Sequence, residues 1–265
     1  MKDAKWFSNQ VVLVTGASGG LGAQIALELA RRDVQLILVA RNESKLKQVA
    51  AECKAFTSKP VDIYSCDLTQ DESVEQLLAT LDESHKITMV INNAGLGYFK
   101  LAKDLSESEI SQMLQLNLNA LIKITQHFVP CFIEAKSGVI VNVASQAAKS
   151  ATAKSSVYSA TKFGVLGYSN ALRLELKPYG IHVMTVNPGP IATDFFDKAE
   201  PTGKYLEQLG SVVLDPVRVA GEVVKGIERE KREVNLPKSM NFASKLNILF
   251  PKIGDKLLGS IFDKK

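Results

Sequence analysis

The sequence predicts an α/β fold, a single doubly wound domain whose seven-stranded parallel sheet carries helices on both faces. Three observations support this prediction. Short runs rich in β-branched residues alternate with longer amphipathic stretches over about the first 235 residues, no Pro/Gly/Ser-rich linker divides them, and no internal repeat is present. Parallel neighbours need a helix-length connection, which each amphipathic stretch supplies. We therefore expect one domain over residues 1–237.

The predicted strands and helices alternate along the chain. The strands cover residues 11–15, 35–40, 61–66, 89–92, 138–143, 182–187 and 234–236. The helices cover residues 21–31, 43–53, 71–81, 107–134, 157–176 and 216–230. An S/T-x-x-E capping box supports the start of two helices, at Ser106 with Glu109 and at Thr69 with Glu72.

Charge is distributed unevenly along the chain. Of the 265 residues, 46% are hydrophobic and 23% are charged, which is typical of a globular protein with a substantial core. The net charge is +4, but residues 231–265 carry eight basic and three acidic side chains, a balance of +5. The first 230 residues therefore sum to about −1. This distribution argues against a nucleic-acid-binding surface.

Cysteine and histidine usage excludes several classes of site. Cys53, Cys66 and Cys131 form no C-x-x-C motif, so we expect reduced, buried thiols in a cytoplasmic protein. The three histidines lie far apart in sequence, which predicts no metal site, and no G-x-S-x-G motif of a serine hydrolase occurs. No apolar stretch precedes Val11 and no run of 18 apolar residues exists, so we expect neither a secretory signal nor a membrane-spanning helix.

A glycine-rich turn joins the first strand to the first long helix. Gly16, Gly20 and Gly22 have the spacing G-x-x-x-G-x-G. Glycine lets the backbone turn tightly and approach a pyrophosphate, which amides at a helix N-terminus bind. At this place in the chain, the turn predicts a dinucleotide or nucleotide site.

The end of the second strand predicts which dinucleotide binds. A free ribose 2′-hydroxyl usually meets an acidic residue there, but this chain has Arg41 and no carboxylate. A guanidinium can pair with a 2′-phosphate, and Ser18 is a candidate second donor. We therefore expect NADP(H) in preference to NAD(H). The alternative is that Arg41 is simply a solvated arginine after a strand.

Tyr158 and Lys162 form a candidate acid/base pair. They are four residues apart in a predicted helix, so they lie on one face about one turn apart. An ammonium beside a phenol lowers the pKa of the phenol, which makes it usable as a general acid or base. The alternative for an isolated Y-x-x-x-K motif is a solvated helix face.

Further motifs occur in the order that such a site requires. They are the Asn92–Gly95 run N-N-A-G after the fourth strand, Asn117 in a long helix, Ser145 after the fifth strand and Asn187-Pro188-Gly189 after the sixth. With the glycine turn and Y-S-A-T-K, they make the chain resemble the short-chain dehydrogenase/reductase family over roughly residues 8–236. The resemblance implies a single Rossmann-like domain.

The resemblance also implies roles for four residues. Tyr158 exchanges a proton with the substrate oxygen, Lys162 lowers the pKa of Tyr158 and binds the nicotinamide ribose, and Ser145 hydrogen-bonds the substrate oxygen. Asn117 holds a water in a proton relay from Lys162. The neighbouring Asn119 leaves that assignment open, and each residue has a structural alternative as a cap or loop residue.

By the same resemblance, further residues contact the cofactor, with Asp67 at the adenine, residues 93–95 at the adenosine ribose and residues 188–193 over the nicotinamide. The candidate cofactor-binding residues are Gly16, Ser18, Gly20, Leu21, Gly22, Arg41, Asp67, Leu68, Asn93, Ala94, Gly95, Tyr158, Lys162, Pro188, Gly189, Ile191 and Thr193.

The leading functional prediction is an NADP(H)-dependent oxidoreductase that acts on a small-molecule carbonyl or secondary alcohol, with a homodimer or homotetramer as the family-level expectation. One alternative is reduction of 3-oxoacyl thioesters. Its weakness is that Gly19 stands where a basic residue is expected. Another alternative is a non-catalytic protein that senses NADP(H), although Tyr158, Lys162, Ser145 and Asn117 are all present.

Substrate choice is expected in residues 191–214, 96–99 and 146–153, where Phe195, Phe196, Tyr205 and Leu206 indicate a partly apolar pocket. Residues 238–265 form a basic, amphipathic C-terminal extension. One hypothesis is weak contact with an anionic membrane surface. The favoured alternative is that the extension folds over its own domain or a neighbouring subunit and covers the substrate cleft.

Overall fold

Seven parallel strands form the centre of the fold in the computed structural model, which describes residues 2–200 and 212–250. The strands are β1 (Val11–Thr15), β2 (Gln35–Ala40), β3 (Val61–Ser65), β4 (Met89–Asn92), β5 (Gly138–Val143), β6 (Ile181–Pro188) and β7 (Glu233–Leu236). Their order across the sheet is β3-β2-β1-β4-β5-β6-β7. The predicted seven-stranded, doubly wound sheet is confirmed.

Helices connect the strands. They are α1 (Ala4–Ser8), α2 (Gly20–Ala30), α3 (Glu43–Lys54), α4 (Asp71–Ser84), α5 (Glu107–Leu114), α6 (Ala120–Ala135), α7 (Ser156–Leu176), α8 (Phe195–Ala199), α9 (Pro216–Glu228) and α10 (Lys238–Leu249).

Successive strand residues face opposite layers of helices. On β1, Val12 and Val14 are buried in the cluster that includes Val223 of α9, whereas Leu13 is buried in the cluster that includes Leu172 of α7. Side chains alternate between the two faces of a strand, so a strand that is apolar at every position requires cover on both sides. The near-continuous apolar runs therefore account for helices on both faces.

The topology determines where a ligand can bind. The strand order runs outward in opposite directions from β1 and β4, so the loops after these two strands separate. A crevice opens at such a switch point, at the carboxyl ends of the strands. The glycine turn follows β1, and the loops after β4, β5 and β6 open at the same edge.

Two local predictions about helices are corrected. The predicted helix 107–134 is interrupted by a π-helical turn, Gln115–Asn119, which separates α5 from α6. The capping box at Ser106 and Glu109 is confirmed, but the one at Thr69 is wrong. The Thr69 hydroxyl instead donates to Asp67 Oδ1 at 2.8 Å, and Gln70 is the N-cap residue.

The cysteine prediction is partly wrong. Cys53 and Cys66 are buried, and burial raises their pKa values to about 12 and about 11, so both are protonated thiols at neutral pH. Cys131 is exposed, because it lies on the outer face of α6 rather than on its buried face.

The described residues include neither a membrane-spanning helix nor a cluster of metal ligands. Within residues 2–200 and 212–250, no helix has the length and apolar character needed to cross a bilayer. The same residues contain no group of three or more His, Cys, Asp or Glu side chains that could hold a metal ion.

Candidate active site

A cleft of about 1070 Å³ lies along the carboxyl edge of the sheet. The lining residues come from loops on both sides of the sheet's switch point, so we describe the cleft as two halves. The glycine-turn half, at the ends of β1, β2, β3 and β4, is lined by Gly16, Ser18, Gly20, Leu21, Arg41, Asp67, Leu68, Asn93, Ala94 and Gly95. The tail half, toward β7, is lined by Phe99, Phe195, Phe196, Val212, Met240, Ala243, Leu246, Asn247 and Phe250.

The glycine turn is built by close backbone contacts. Gly16 and Gly20 have φ angles of +65° and +55°, which disfavour other residues. A Cβ added at Gly16 would lie 2.8 Å from Cα of Ala94, and one at Gly22 would lie 2.2 Å from the carbonyl oxygen of Gly16. The turn therefore packs directly against the loop after β4. Gly22 itself lies behind the cleft wall rather than in it.

The loop after β4 is hydrogen-bonded to the end of β1. Asn93 Nδ2 donates to the carbonyl oxygens of Thr15 (3.0 Å) and Gly16 (3.3 Å), and the Thr15 hydroxyl oxygen accepts from the backbone N–H groups of Asn93 and Ala94. Asn93 lines the cleft, but its amide group holds the glycine turn in place.

Arg41 lies exposed just after β2 and lines the cleft, as do Ser18 and Asp67. Asp67 Oδ1 accepts hydrogen bonds from the Thr69 backbone N–H and hydroxyl, which fixes the turn after β3. Lys45 also lines this part of the cleft, and its Nζ is 3.3 Å from Asp194 Oδ2. The sequence reasoning missed Lys45, which lies four residues after Arg41 on the first turn of α3.

Tyr158 and Lys162 lie in the first two turns of α7, and both side chains border the cleft. Lys162 is 4% exposed, and its Nζ donates to the carbonyl oxygen of Val143 at 2.9 Å. Burial lowers the pKa of Lys162 to about 8. Its Nζ is 5.8 Å from the centroid of the Tyr158 ring. The predicted i,i+4 pair is therefore buried at the cleft wall rather than on a solvated helix face.

Asn117 lies behind the cleft wall, on the π-helical turn. Its Oδ1 accepts from the Leu96 N–H, and its Nδ2 donates to the Leu96 carbonyl oxygen, both at 2.8 Å. Nδ2 also contacts Thr161 Oγ1 at 3.1 Å. A Cβ added to Gly95 would meet both Asn117 Oδ1 and Lys162 Nζ, at 3.3 and 3.5 Å. The amide therefore fixes the loop after β4 close to the Lys162 ammonium.

Ser145 is the second residue after β5 and lines the cleft. Its Oγ accepts from the Ala147 backbone N–H at 3.0 Å and lies 3.5 Å from the Pro188 carbonyl oxygen. Pro188, Gly189, Ile191 and Thr193 line the adjoining wall after β6. The Thr193 side chain also closes over the glycine turn, 3.3 Å from where a Gly20 Cβ would stand.

An aromatic cluster surrounds Tyr158. The ring of Phe99 is 5.5 Å and that of Phe195 is 5.9 Å from the Tyr158 ring, and Phe196 is 5.2 Å from Phe195. Gly97 leaves room for these rings, since a Cβ there would be 3.0 Å from Phe195. The sequence identified Phe195 and residues 96–99, which include Phe99, as candidates for substrate choice, but it gave no signal that these two rings pack on Tyr158.

The cleft wall includes every predicted cofactor or catalytic residue except Gly22 and Asn117. Part of the C-terminal extension, α10, also forms its wall. Two predictions about this region fall outside the described residues: the role of Tyr205 and Leu206 in substrate choice, and the extension beyond residue 250.

Comparisons with known proteins agree with this geometry. The family model described as short chain dehydrogenase matches residues 10–203. The ketoacyl reductase HetN of Nostoc sp. is 33% identical over 236 residues, which cover 86% of this chain and 78% of that protein.

Two solved structures are similar over most of the chain. A short-chain dehydrogenase from Sphingobium yanoikuyae in complex with NADPH has a TM-score of 0.80 at 28% identity, with 91% of this chain and 96% of that chain covered. The bulky-bulky ketone specific alcohol dehydrogenase from Comamonas testosteroni has a TM-score of 0.78 at 26% identity, with 92% and 94% covered.

Proposed function

Because the chain belongs to the short-chain dehydrogenase family, we propose that it is an NADP(H)-dependent oxidoreductase for a carbonyl or secondary alcohol substrate. One observation carries the proposal: the buried Lys162 ammonium and the Tyr158 ring lie together in a cleft that the glycine turn also lines. A buried, charged group beside a titratable hydroxyl in a cleft is the arrangement expected of an acid/base site.

The proposed roles of the side chains follow from their positions. In the reducing direction, the Tyr158 hydroxyl donates its proton to the carbonyl oxygen, and in the oxidising direction it accepts the alcohol proton. The Lys162 ammonium stabilises the phenolate that remains, and Ser145 donates a hydrogen bond to the substrate oxygen. Bound nicotinamide supplies or accepts the hydride. The aromatic rings around Tyr158 exclude water from the reacting centre.

Several features of the glycine-turn half support NADP(H) as the proposed cofactor. Close packing at Gly16 and Gly22 leaves backbone N–H groups at the start of α2, where a pyrophosphate binds. Arg41, Ser18 and Lys45 line the same wall and could hold a 2′-phosphate. The neighbour from Sphingobium yanoikuyae binds NADPH, which supports this cofactor.

The test is an NADPH-oxidation screen over aldehydes, small and bulky ketones, and 3-oxoacyl thioesters, repeated with NADH. At least one aldehyde or ketone should be reduced, and its kcat/KM should be higher with NADPH than with NADH. If no carbonyl in the screen supports NADPH oxidation while NADPH still binds, the result would instead support the cofactor-sensing alternative.

A second candidate function is reduction of 3-oxoacyl thioesters. The relative from Nostoc sp. is named a ketoacyl reductase, which favours this candidate. Gly19 occupies the place where a basic residue is expected, which disfavours it. A higher kcat/KM for 3-oxoacyl thioesters than for every free ketone in the screen would select this reading.

A homodimer or homotetramer in the cytoplasm stays a prediction. Exposed apolar side chains on α5 and α7, Leu114 (41% exposed), Phe163 (46%) and Leu174 (70%), support pairing of these helices between subunits. Light scattering of the purified chain measures its mass directly, and a monomer would exclude the pairing.

A further inference from the structure

The helix α10 presents two different faces. Met240, Ala243 and Asn247 line the cleft at intervals of three and four residues, which places them on one face of the helix. Phe242 and Ile248, on the other face, are 65% and 66% exposed. The described part of the C-terminal extension is therefore a wall of the cleft.

A largely shielded lysine holds this wall in place. Lys149 Nζ lies 2.6 Å from Glu233 Oε2, 2.8 Å from Asn235 Oδ1 and 3.2 Å from Asn241 Oδ1. These four residues, the Lys149 cluster, join the loop after Ser145, strand β7 and helix α10. The Lys149 side chain is only 12% exposed and that of Glu233 20%, so the pair is shielded from solvent. Shielded, hydrogen-bonded pairs of this kind hold their partners in one geometry.

The ends of α10 have further contacts with the loops that carry predicted site residues. Asn247 Nδ2 donates to Ser150 Oγ at 3.3 Å. A Cβ added to Gly189 would lie 2.8 Å from Met240 Sδ, so the helix packs directly on the segment after β6. The position of α10 is therefore fixed relative to Ser145 and Gly189 together.

Most of the side chains that line the tail half are apolar. Beyond Tyr158, the cleft is lined by aromatic rings from Phe99, Phe195 and Phe196, and then by Met240 and Leu246 of α10. A substrate whose carbonyl lies at Tyr158 would place an attached hydrocarbon arm among these side chains. Burial of such an arm stabilises the complex by removing apolar surface from water.

We propose that Lys149 is a positioning residue that fixes α10 over the cleft and so forms a distal apolar subsite, which takes a hydrocarbon arm of the substrate. This inference rests on the proposed function and names its substrate class: ketones or secondary alcohols with an extended apolar arm. Each methylene that enters the subsite raises kcat/KM by up to about four-fold.

The first test fills the subsite. Wild type should prefer decyl methyl ketone to butanone, measured as the ratio of their kcat/KM values. Ala243→Phe places a ring in the cleft, so this ratio should fall by at least about ten-fold. The matched control is Phe242→Ser on the exposed face of the same helix, which should leave the ratio unchanged. An unchanged ratio in Ala243→Phe, or an equal fall in the control, overturns the subsite.

The second test separates positioning from folding. Asn241→Ala removes the α10 partner of Lys149 but leaves Lys149 paired with Glu233, so the body of the protein keeps its buried pair. We expect a rise of about ten-fold in KM for decyl methyl ketone, with a smaller change in kcat. Lys149→Met should raise this KM similarly. Lys149→Arg, which keeps the charge, should raise it less. Equal losses for the long and the short ketone would indicate a purely structural role and overturn the proposal.

Binding distinguishes failure of the subsite from failure of the proposed function. If no ketone is reduced, the proposed function fails, but calorimetric titration with decanol still reads the subsite. Wild type should bind decanol at least about ten-fold more tightly than Ala243→Phe. Equal binding by the two proteins, or no binding by either, contradicts the subsite.

Discussion

The two halves of the cleft are built in different ways. In the glycine-turn half, backbone contacts define the wall, and at Gly16 and Gly22 a single added carbon atom would overlap a neighbouring backbone atom. In the tail half, the wall consists of side chains and is held in place by the Lys149 cluster. Backbone-defined walls tolerate few substitutions, whereas side-chain walls can be changed without altering the fold. The comparison indicates that the proposed cofactor half is a fixed part of the fold and that the proposed substrate half is adjustable.

The largest expected effect comes from the residue where the two halves meet. Tyr158→Phe removes the proposed proton donor but keeps the ring that packs on Phe99, so kcat should fall by about 1000-fold or more, while NADPH affinity changes by less than a few-fold. Steady-state kinetics and NADPH fluorescence measure the two quantities. The control is Tyr98→Phe. The Tyr98 hydroxyl that this variant lacks donates to Gln112, outside the cleft wall. Similar losses in both variants would show that the effect is not chemical.

A pair of glycine variants tests the rigidity of the glycine-turn half. A Cβ at Gly22 would lie 2.2 Å from the Gly16 carbonyl oxygen and 2.5 Å from Asn93 Nδ2, whereas one at Gly19 would meet nothing within 4 Å. Gly22→Ala should therefore lower the free energy of unfolding by about 1–3 kcal/mol, and Gly19→Ala should change it little. Urea denaturation of both variants measures the difference. Equal stabilities would mean that the turn can relax.

Cofactor choice tests whether one side chain selects the cofactor within the fixed half. Arg41→Asp removes the proposed partner of the 2′-phosphate and introduces repulsion, so the NADPH-to-NADH ratio of kcat/KM should fall by about 10- to 100-fold. Lys47→Ala, which removes a surface partner of Glu43, serves as the control and should leave the ratio unchanged. If Arg41→Asp keeps the wild-type ratio, Lys45 becomes the next candidate to test.

The smallest expected effect is a pH dependence of stability that Lys162 causes. Burial lowers its pKa from 10.5 to about 8 in the folded protein, so between these values the unfolded chain binds more protons. The free energy of unfolding contributed by this group therefore rises with pH, by up to about 1 kcal/mol per pH unit above pH 8. Parallel urea titrations of wild type and Lys162→Met isolate this slope. The free energy of unfolding of wild type minus that of Lys162→Met should become more positive as the pH increases from 7 to 9. A constant value would contradict a buried, titrating ammonium.

The glycine turn and the Tyr158–Lys162 pair could be predicted from the sequence, because their signals are local. Each of the two motifs lies within a short stretch of sequence. One is the glycine spacing from Gly16 to Gly22, and the other is the four-residue interval from Tyr158 to Lys162. Their order along a doubly wound sheet then places them at one edge.

The rest of the site depends on contacts between distant segments. Lys149 meets Asn241 across 92 residues of chain, and Phe99 meets Phe195 only because the loops after β4 and β6 converge. Locally, the Thr69 hydroxyl contacts Asp67 instead of capping α4, an alternative that the S/T-x-x-E pattern does not exclude. The division of the chain into a domain of residues 1–237 and an extension of residues 238–265 stays a prediction.

The most direct test of the proposed chemistry follows the transferred hydride in the presence and in the absence of the Tyr158 hydroxyl. NADPH carrying deuterium at the transferred position is mixed with a ketone that the screen identifies, and mass spectrometry reads the alcohol formed. Wild type should give an alcohol with one deuterium on the carbinol carbon, and Tyr158→Phe, with NADPH still bound, should give almost none. An unlabelled alcohol from wild type, or labelled alcohol formed at the wild-type rate by Tyr158→Phe, would contradict proton donation by Tyr158 to a carbonyl reduced in this cleft.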